Sequence, residues 1–261
     1  MFFARKYQDW RKRHLFDRDP ANLQAHFAER QEISMDNRFR RITPAGIFES
    51  VFDIAYLTFV FITAAVFYLQ AHGSVQLILC GTLALILGGG DSFHLIPRVK
   101  RALRGEDDRT EKFLGLGLLI SSVTMTVFYL VLYEIWKIEF PETAGQISAG
   151  WVVLLFVSAF FRIVICLLPQ NNWFHKEGNA RFSLLRNLPF ALTGAIVCAL
   201  FFMSGNEDGL RMWRMSIAII ISFACYFPVT LLSKKKPAIG MLMIPKTCAY
   251  IWMMLLLVQL L

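Results

Sequence analysis

Seven apolar runs, each long enough to cross a bilayer, dominate this chain: residues 46–69, 75–96, 113–135, 149–168, 184–204, 212–232 and 239–260. A hydrocarbon core of about 30 Å takes about 20 apolar residues when it is crossed as a helix. Lipid offers backbone amides nothing to bond with, so such a run folds as helix with its peptide groups paired internally. The pattern therefore predicts an all-α, polytopic membrane protein, with residues 44–261 as a seven-transmembrane-helix bundle and residues 1–43 as a polar N-terminal segment. A mean hydropathy of +0.50 with 56% apolar residues excludes an ordinary soluble domain. Met1–Arg41 lacks the charged-then-apolar order of a cleaved signal peptide.

Charge placement orients the bundle. Of the 27 Lys and Arg residues, 22 precede the first run, lie in the connections after the second, fourth and sixth, or, as Arg186, open the fifth run. The alternate connections carry only Lys137, Arg211 and Arg214. Loops rich in Lys and Arg stay on the cytoplasmic side, so the N-terminus is expected inside and the C-terminus outside, in a cell membrane such as a bacterial inner membrane. The basic excess then meets anionic headgroups. Membrane lipids, not nucleic acid, are the expected partners.

Within 1–43, Trp10, Leu15 and Phe16 stand among basic residues, as in a solvated tail or a surface-lying segment. Thr43-Pro44 reads as a helix start, Ser183 as a cap for the fifth span, and Glu134–Glu142 as an outer loop. The five cysteines all fall within spans with no C-x-x-C pair, which points to small buried side chains rather than a disulfide framework.

The polar residues inside the spans carry the functional information. Ile86–Arg98 reads I-L-G-G-G-D-S-F-H-L-I-P-R. Three consecutive glycines weaken a helix by about 1 kcal/mol each relative to alanine, and they let a neighbour or ligand approach the Asp91 backbone. Asp91, His94 and Arg98 then share one helix face. Glu49 and Asp53 sit four apart in span one, Ser121 and Ser122 begin a polar stripe in span three, and Arg162 lies in span four. Arg186 and Asn187 open span five, and Lys246 and Tyr250 share a face of span seven. At about 1.5 Å rise per residue, all of these fall in the half of each span nearer the cytoplasm.

A charge at mid-bilayer costs about 2.5–3.5 kcal/mol even on a mild insertion scale. Such residues persist by facing inward, where they either pair into a structural core or line a wet pocket. The reading adopted is a cytoplasm-facing pocket for a small molecule or lipid. Asp91, His94 and Lys246 are its catalytic candidates, and Glu49, Asp53, Ser92, Arg98, Ser121, Ser122, Arg162, Arg186, Asn187 and Tyr250 are its lining. His94 with Asp91, Glu49 or Asp53 offers nitrogen and oxygen donors that suit zinc.

G-D-S-F-H at the inner end of span two resembles the Gly/Ser-rich run ending in Phe-His of the alkaline-ceramidase and adiponectin-receptor-like superfamily. That resemblance implies a seven-span intramembrane zinc hydrolase acting on lipid amides, with His94 as a metal ligand. The sequence departs from that pattern in the last span, where the family has H-x-x-x-H and this chain has Lys246 and Tyr250 at comparable spacing. A metal-free acid–base site of Asp91, His94 and Lys246 stays open.

P-K-T-C-A-Y-I-W around Lys246 and S-S-V-T-M in span three are similar to heliorhodopsins, which share the inverted topology. That likeness implies retinal as a Schiff base on Lys246, although Gly115–Gly117 stands where the counter-ion carboxylate is expected. The motif G-D-x-F-H-L-I-P-R also resembles that of uncharacterised bacterial seven-span proteins, which implies a family without an activity. A transporter or small-molecule sensor, binding an anion or moving protons with the same charges, is the non-enzymatic alternative.

Overall fold

A computed structural model describes residues 44–104, 108–174, 179–204, 211–232 and 236–261. The N-terminal segment 1–43, and Thr43 as a helix cap, lie outside the described residues. Eight helices follow in order: α1 (Pro44–Gln70), α2 (Val75–Arg104), α3 (Asp108–Glu139), α4 (Pro141–Gln146), α5 (Ala149–Leu167), α6 (Ala180–Ser204), α7 (Trp213–Leu232) and α8 (Met243–Val258). No strand occurs among the described residues. Among the described residues seven helical stretches are long and apolar enough to cross a membrane, the last, Ile239–Val258, joining α8 to the 3₁₀ helix before it, so the chain is a multi-pass membrane protein.

The helices pack in sequence order. α1 lies on α2, α2 on α3, α3 on α5, and so on round to α8, which returns to α1. α3 also touches α6, so it occupies the middle of the bundle. The outward faces carry large apolar side chains such as Phe48, Leu69, Phe160 and Leu188, as lipid-facing surfaces do. Ser158–Thr193 joins α5 to α6 at 2.8 Å, and the Ser216 hydroxyl donates to the Cys198 carbonyl at 2.8 Å to join α6 to α7. Small hydroxyls are the usual adhesive where lipid removes the hydrophobic drive for helices to associate. Cys80 and Cys166 are buried, but Cys248 is exposed on the outer face of α8.

Three local expectations change. The Gly88–Gly90 run does not interrupt α2, which continues through it and through Pro97 to Arg104. Tertiary packing overrides the poor helix propensity. A side-chain carbon at Gly90 would strike Thr124, and one at Gly117 would strike the Phe93 backbone, so the two glycines let α2 and α3 come close. The neighbours admitted to the glycine run are thus α3 at Gly90 and α1, through Val60 and Phe61, at Gly88. The fifth span starts three residues before Ser183, where the Asn179 side chain accepts from the amides of Arg181 (3.1 Å) and Phe182 (3.3 Å) and caps α6. The outer connection is not irregular either: α3 runs on to Glu139 and the short α4 follows.

The two ends of the bundle differ, and they are distinguished here by their connections. The basic end carries the starts of α1, α3, α6 and α8. At the other end, Trp136, Phe140 and Phe201 form a closed aromatic core. The Trp136 indole N–H donates to Ser204, whose hydroxyl donates to the Leu200 carbonyl. Gln76 and Glu139 hydrogen-bond near the end of that core. The polar cavities lie in the basic half.

Candidate functional site

The site is built from the way α5 ends. Pro169 cannot continue the helix, so the chain takes a single 3₁₀ turn, Pro169–Asn171, and leaves it through Asn172 in the left-handed conformation (φ 52°). The last carbonyls of α5 then need donors. The buried Asn171 amide supplies them, donating to the carbonyls of Leu168 (2.9 Å) and Cys166 (3.3 Å), while the Trp173 indole also donates to Cys166 (2.9 Å). This folds the loop back beneath the bundle. It aims the Asn171 carbonyl oxygen at Arg186, whose Nη1 donates to it at 2.9 Å.

Above that floor is a cavity of about 350 Å³. Its walls come from every spanning helix except α1: His94 from α2, Ser121 and Ser122 from α3, Arg162 from α5, Arg186 and Phe190 from α6, Tyr226 from α7, and Lys246 and Tyr250 from α8. The size is at the lower end of ligand pockets, enough for a small molecule.

Its charge is one-sided. Arg162, Arg186 and Lys246 line the cavity, and among the described residues no Asp or Glu does. Arg162 is 1% exposed. Its guanidinium carbon stands 3.1 Å from the centre of the Phe190 ring, and its Nε and Nη1 have no hydrogen-bond partner among the described residues. Arg186 lies over Trp173 at 4.2 Å and also reaches the Ser183 hydroxyl at 3.4 Å, but its Nε lacks a partner. The Lys246 ammonium stands 5.0 Å from the Tyr250 ring and 5.5 Å from Tyr226, with no carboxylate within 4 Å among the described residues. Aromatic faces attract cations but supply only part of what water gives a charge. A buried, unpaired cation costs several kcal/mol. Unused N–H groups on a guanidinium form a planar fork whose natural complement is a carboxylate or phosphate.

The acids are elsewhere. A second cavity of about 10 Å³ lies between α1, α2 and α8, lined by Glu49, Asp53, Asp91, His94, Arg98 and Lys246 among others. Glu49 and Arg98 form an ion pair. Asp91 accepts from the Tyr56 hydroxyl (2.8 Å) and from Ser121 (3.2 Å), with His94 Nδ1 3.9 Å away. Asp53 is 5% exposed, and its Oδ2 has no hydrogen-bond partner among the described residues; His94 Nδ1 has none either. His94 and Lys246 line both cavities.

Of the residues expected at the site, seven line the large cavity: His94, Ser121, Ser122, Arg162, Arg186, Lys246 and Tyr250. Glu49, Asp53, Asp91 and Arg98 line the small one. Ser92 and Asn187 line neither: Ser92 donates to the Gly88 carbonyl of its own helix, and Asn187 accepts from the Tyr226 hydroxyl at 2.8 Å behind the wall. Lys246 does not ion-pair with Asp91. Sequence reasoning did not pick out Tyr56, Asn171, Trp173, Asn179, Phe190 or Tyr226 as site residues. The signal available for the loop residues was the Asn-Asn-Trp that follows a proline-ended helix, whose open carbonyls need donors.

His94 is the single histidine at the site, and among the described residues no three His, Cys, Asp or Glu side chains come close enough to hold a metal ion. The chain matches no family model, and no curated protein and no solved structure matches it.

Proposed function

We propose that this protein binds a small organic anion, a carboxylate or phosphate with an apolar body, in the basic half of the bundle, as a carrier or sensor. One observation carries the reading. Three cations and, among the described residues, no carboxylate line the large cavity, and one of the three, Arg162, has two nitrogens without a hydrogen-bond partner among the described residues. Phe190, Trp173 and Tyr226 supply apolar faces beside those cations, as an anion with an apolar or aromatic body requires. By the distribution of loop charge the basic end faces the cytoplasm, so the ligand enters from there. The protein then sits in a cell membrane, with lipids around it.

The test is equilibrium dialysis of the purified protein with labelled benzoate and labelled inorganic phosphate. Saturable binding of at least one is expected. Arg162→Met removes the charge-assisted bonds, worth about 1.5–3 kcal/mol, and weakens binding by about tenfold or more. Wild type that binds neither anion at millimolar concentrations contradicts the reading.

A second reading draws on His94, which lies on the wall shared by the two cavities, 3.9 Å from Asp91. A histidine beside a carboxylate can serve as a general base, here for hydrolysis of a lipid ester or amide. This version predicts turnover of such a lipid by wild type and none by His94→Ala. No turnover by wild type across a lipid panel removes it.

A further inference from the structure

The geometry points to proton coupling: the anion is bound together with one proton, which the Asp53–Asp91 pair takes from water, so that a monoanion enters without adding net charge. This rests on the anion reading above. It assigns the small cavity, which that reading leaves without a task.

The small cavity holds about 10 Å³, close to the room that one water occupies. Three acids line it, and two are accounted for. Glu49 is neutralised by Arg98, and Asp91 is held by the hydroxyls of Tyr56 and Ser121. Asp53, from α1, is the remainder: more than nine-tenths buried, facing Asp91 across the cavity, with one oxygen lacking a donor. A carboxylate oxygen buried without a donor is poorly tolerated as an anion. Two carboxylates sharing one low-dielectric site hold a proton between them more readily than they hold two charges.

The charges facing this pair come from three helices. Glu49 and Tyr56 share α1 with Asp53, Arg98 and His94 come from α2, and Lys246 comes from α8. Glu49 pairs with Arg98, and among the described residues Lys246 is the lysine or arginine that lines both the acid pair's cavity and the large one. An anion beside Arg162 and Lys246 draws that ammonium's field away from the acids and adds its own repulsion. A proton on the pair, forming one O–H bond, removes the imbalance. By linkage the effect is reciprocal: the proton strengthens anion binding by the factor by which the anion strengthens proton binding.

The decisive experiment is calorimetric titration of the full-length protein with benzoate in two buffers of different ionisation enthalpy, repeated across about pH 5 to 8. Wild type is expected to take up one proton per benzoate, and its affinity to fall by up to tenfold per pH unit as pH rises through the coupled range. Asp53→Asn, which cannot ionise, is expected to bind benzoate without proton uptake and with an affinity independent of pH. Binding by wild type with equal affinity at every pH and no proton uptake overturns the coupling but leaves the anion site standing. Unchanged proton uptake in Asp53→Asn overturns the assignment to the acid pair. Wild type that binds no benzoate at any pH overturns the anion reading, and the coupling with it.

Discussion

The two halves of the bundle resolve the same difficulty, polar groups inside lipid-embedded helices, in opposite ways. At the end away from the basic connections, the polar groups beside the aromatic core are matched: Trp136 to Ser204, Ser204 to a carbonyl, Gln76 to Glu139. Around them Trp136, Phe140, Phe201, Leu132 and Leu257 are almost completely buried. The basic half instead keeps Arg162, Asp53 and His94 buried and Arg186 half-buried, each with a polar atom lacking a partner among the described residues. The first arrangement maximises packing and satisfied bonds, the source of stability where lipid is as apolar as the core. The second leaves bonding capacity unused, which makes sense where a ligand completes it.

The largest effect that separates the halves is on stability. Trp136→Ala opens a void in the closed core and removes the indole donor to Ser204, and it is expected to lower stability by about 3–5 kcal/mol. Anion affinity of the molecules that remain folded should be unchanged. Unfolding in detergent, followed beside equilibrium dialysis, checks both. A Trp136→Ala protein as stable as wild type would show that the aromatic end does not hold the bundle together.

A smaller effect is expected at the seam of α2 and α3. In Gly117→Ala the added carbon meets the Phe93 backbone, and the helices must separate, at a cost of about 1–3 kcal/mol. Because α2 also carries Asp91 and His94, this change should alter anion binding as well as the unfolding transition, unlike Trp136→Ala. Wild-type unfolding and binding would show that the close approach has no role.

The spans were legible because length and apolarity alone dictate them: the seven expected runs match the seven observed crossings to within a few residues at most ends. The level of the polar cavities was legible too, since Asp91, His94, Arg162 and Lys246, which line them, interrupt apolar runs at similar distances from the basic ends. Pairing was not. Whether Arg98 turns to Glu49 or to Asp91 depends on how α1 and α2 are rotated, which one sequence does not state. The separation of acids from cations follows from that rotation and from the placing of α8 between them. The floor was hidden for another reason: Asn171 and Trp173 matter because the chain doubles back under α5, a return set by unmet carbonyls rather than by any periodic pattern.

The central claim is that the cations lining the large cavity are kept without a carboxylate partner for a ligand and do not hold the fold. Thermal unfolding of wild type and Arg162→Met, each with and without benzoate, tests it most directly. Removing a buried, unpaired charge should leave the protein without ligand as stable as wild type or more so. Benzoate should raise the melting temperature of wild type, in proportion to RT ln(1 + [L]/Kd), and have little effect on the variant. A variant that unfolds far below wild type, together with a wild type indifferent to benzoate, would contradict the account and make Arg162 a structural residue.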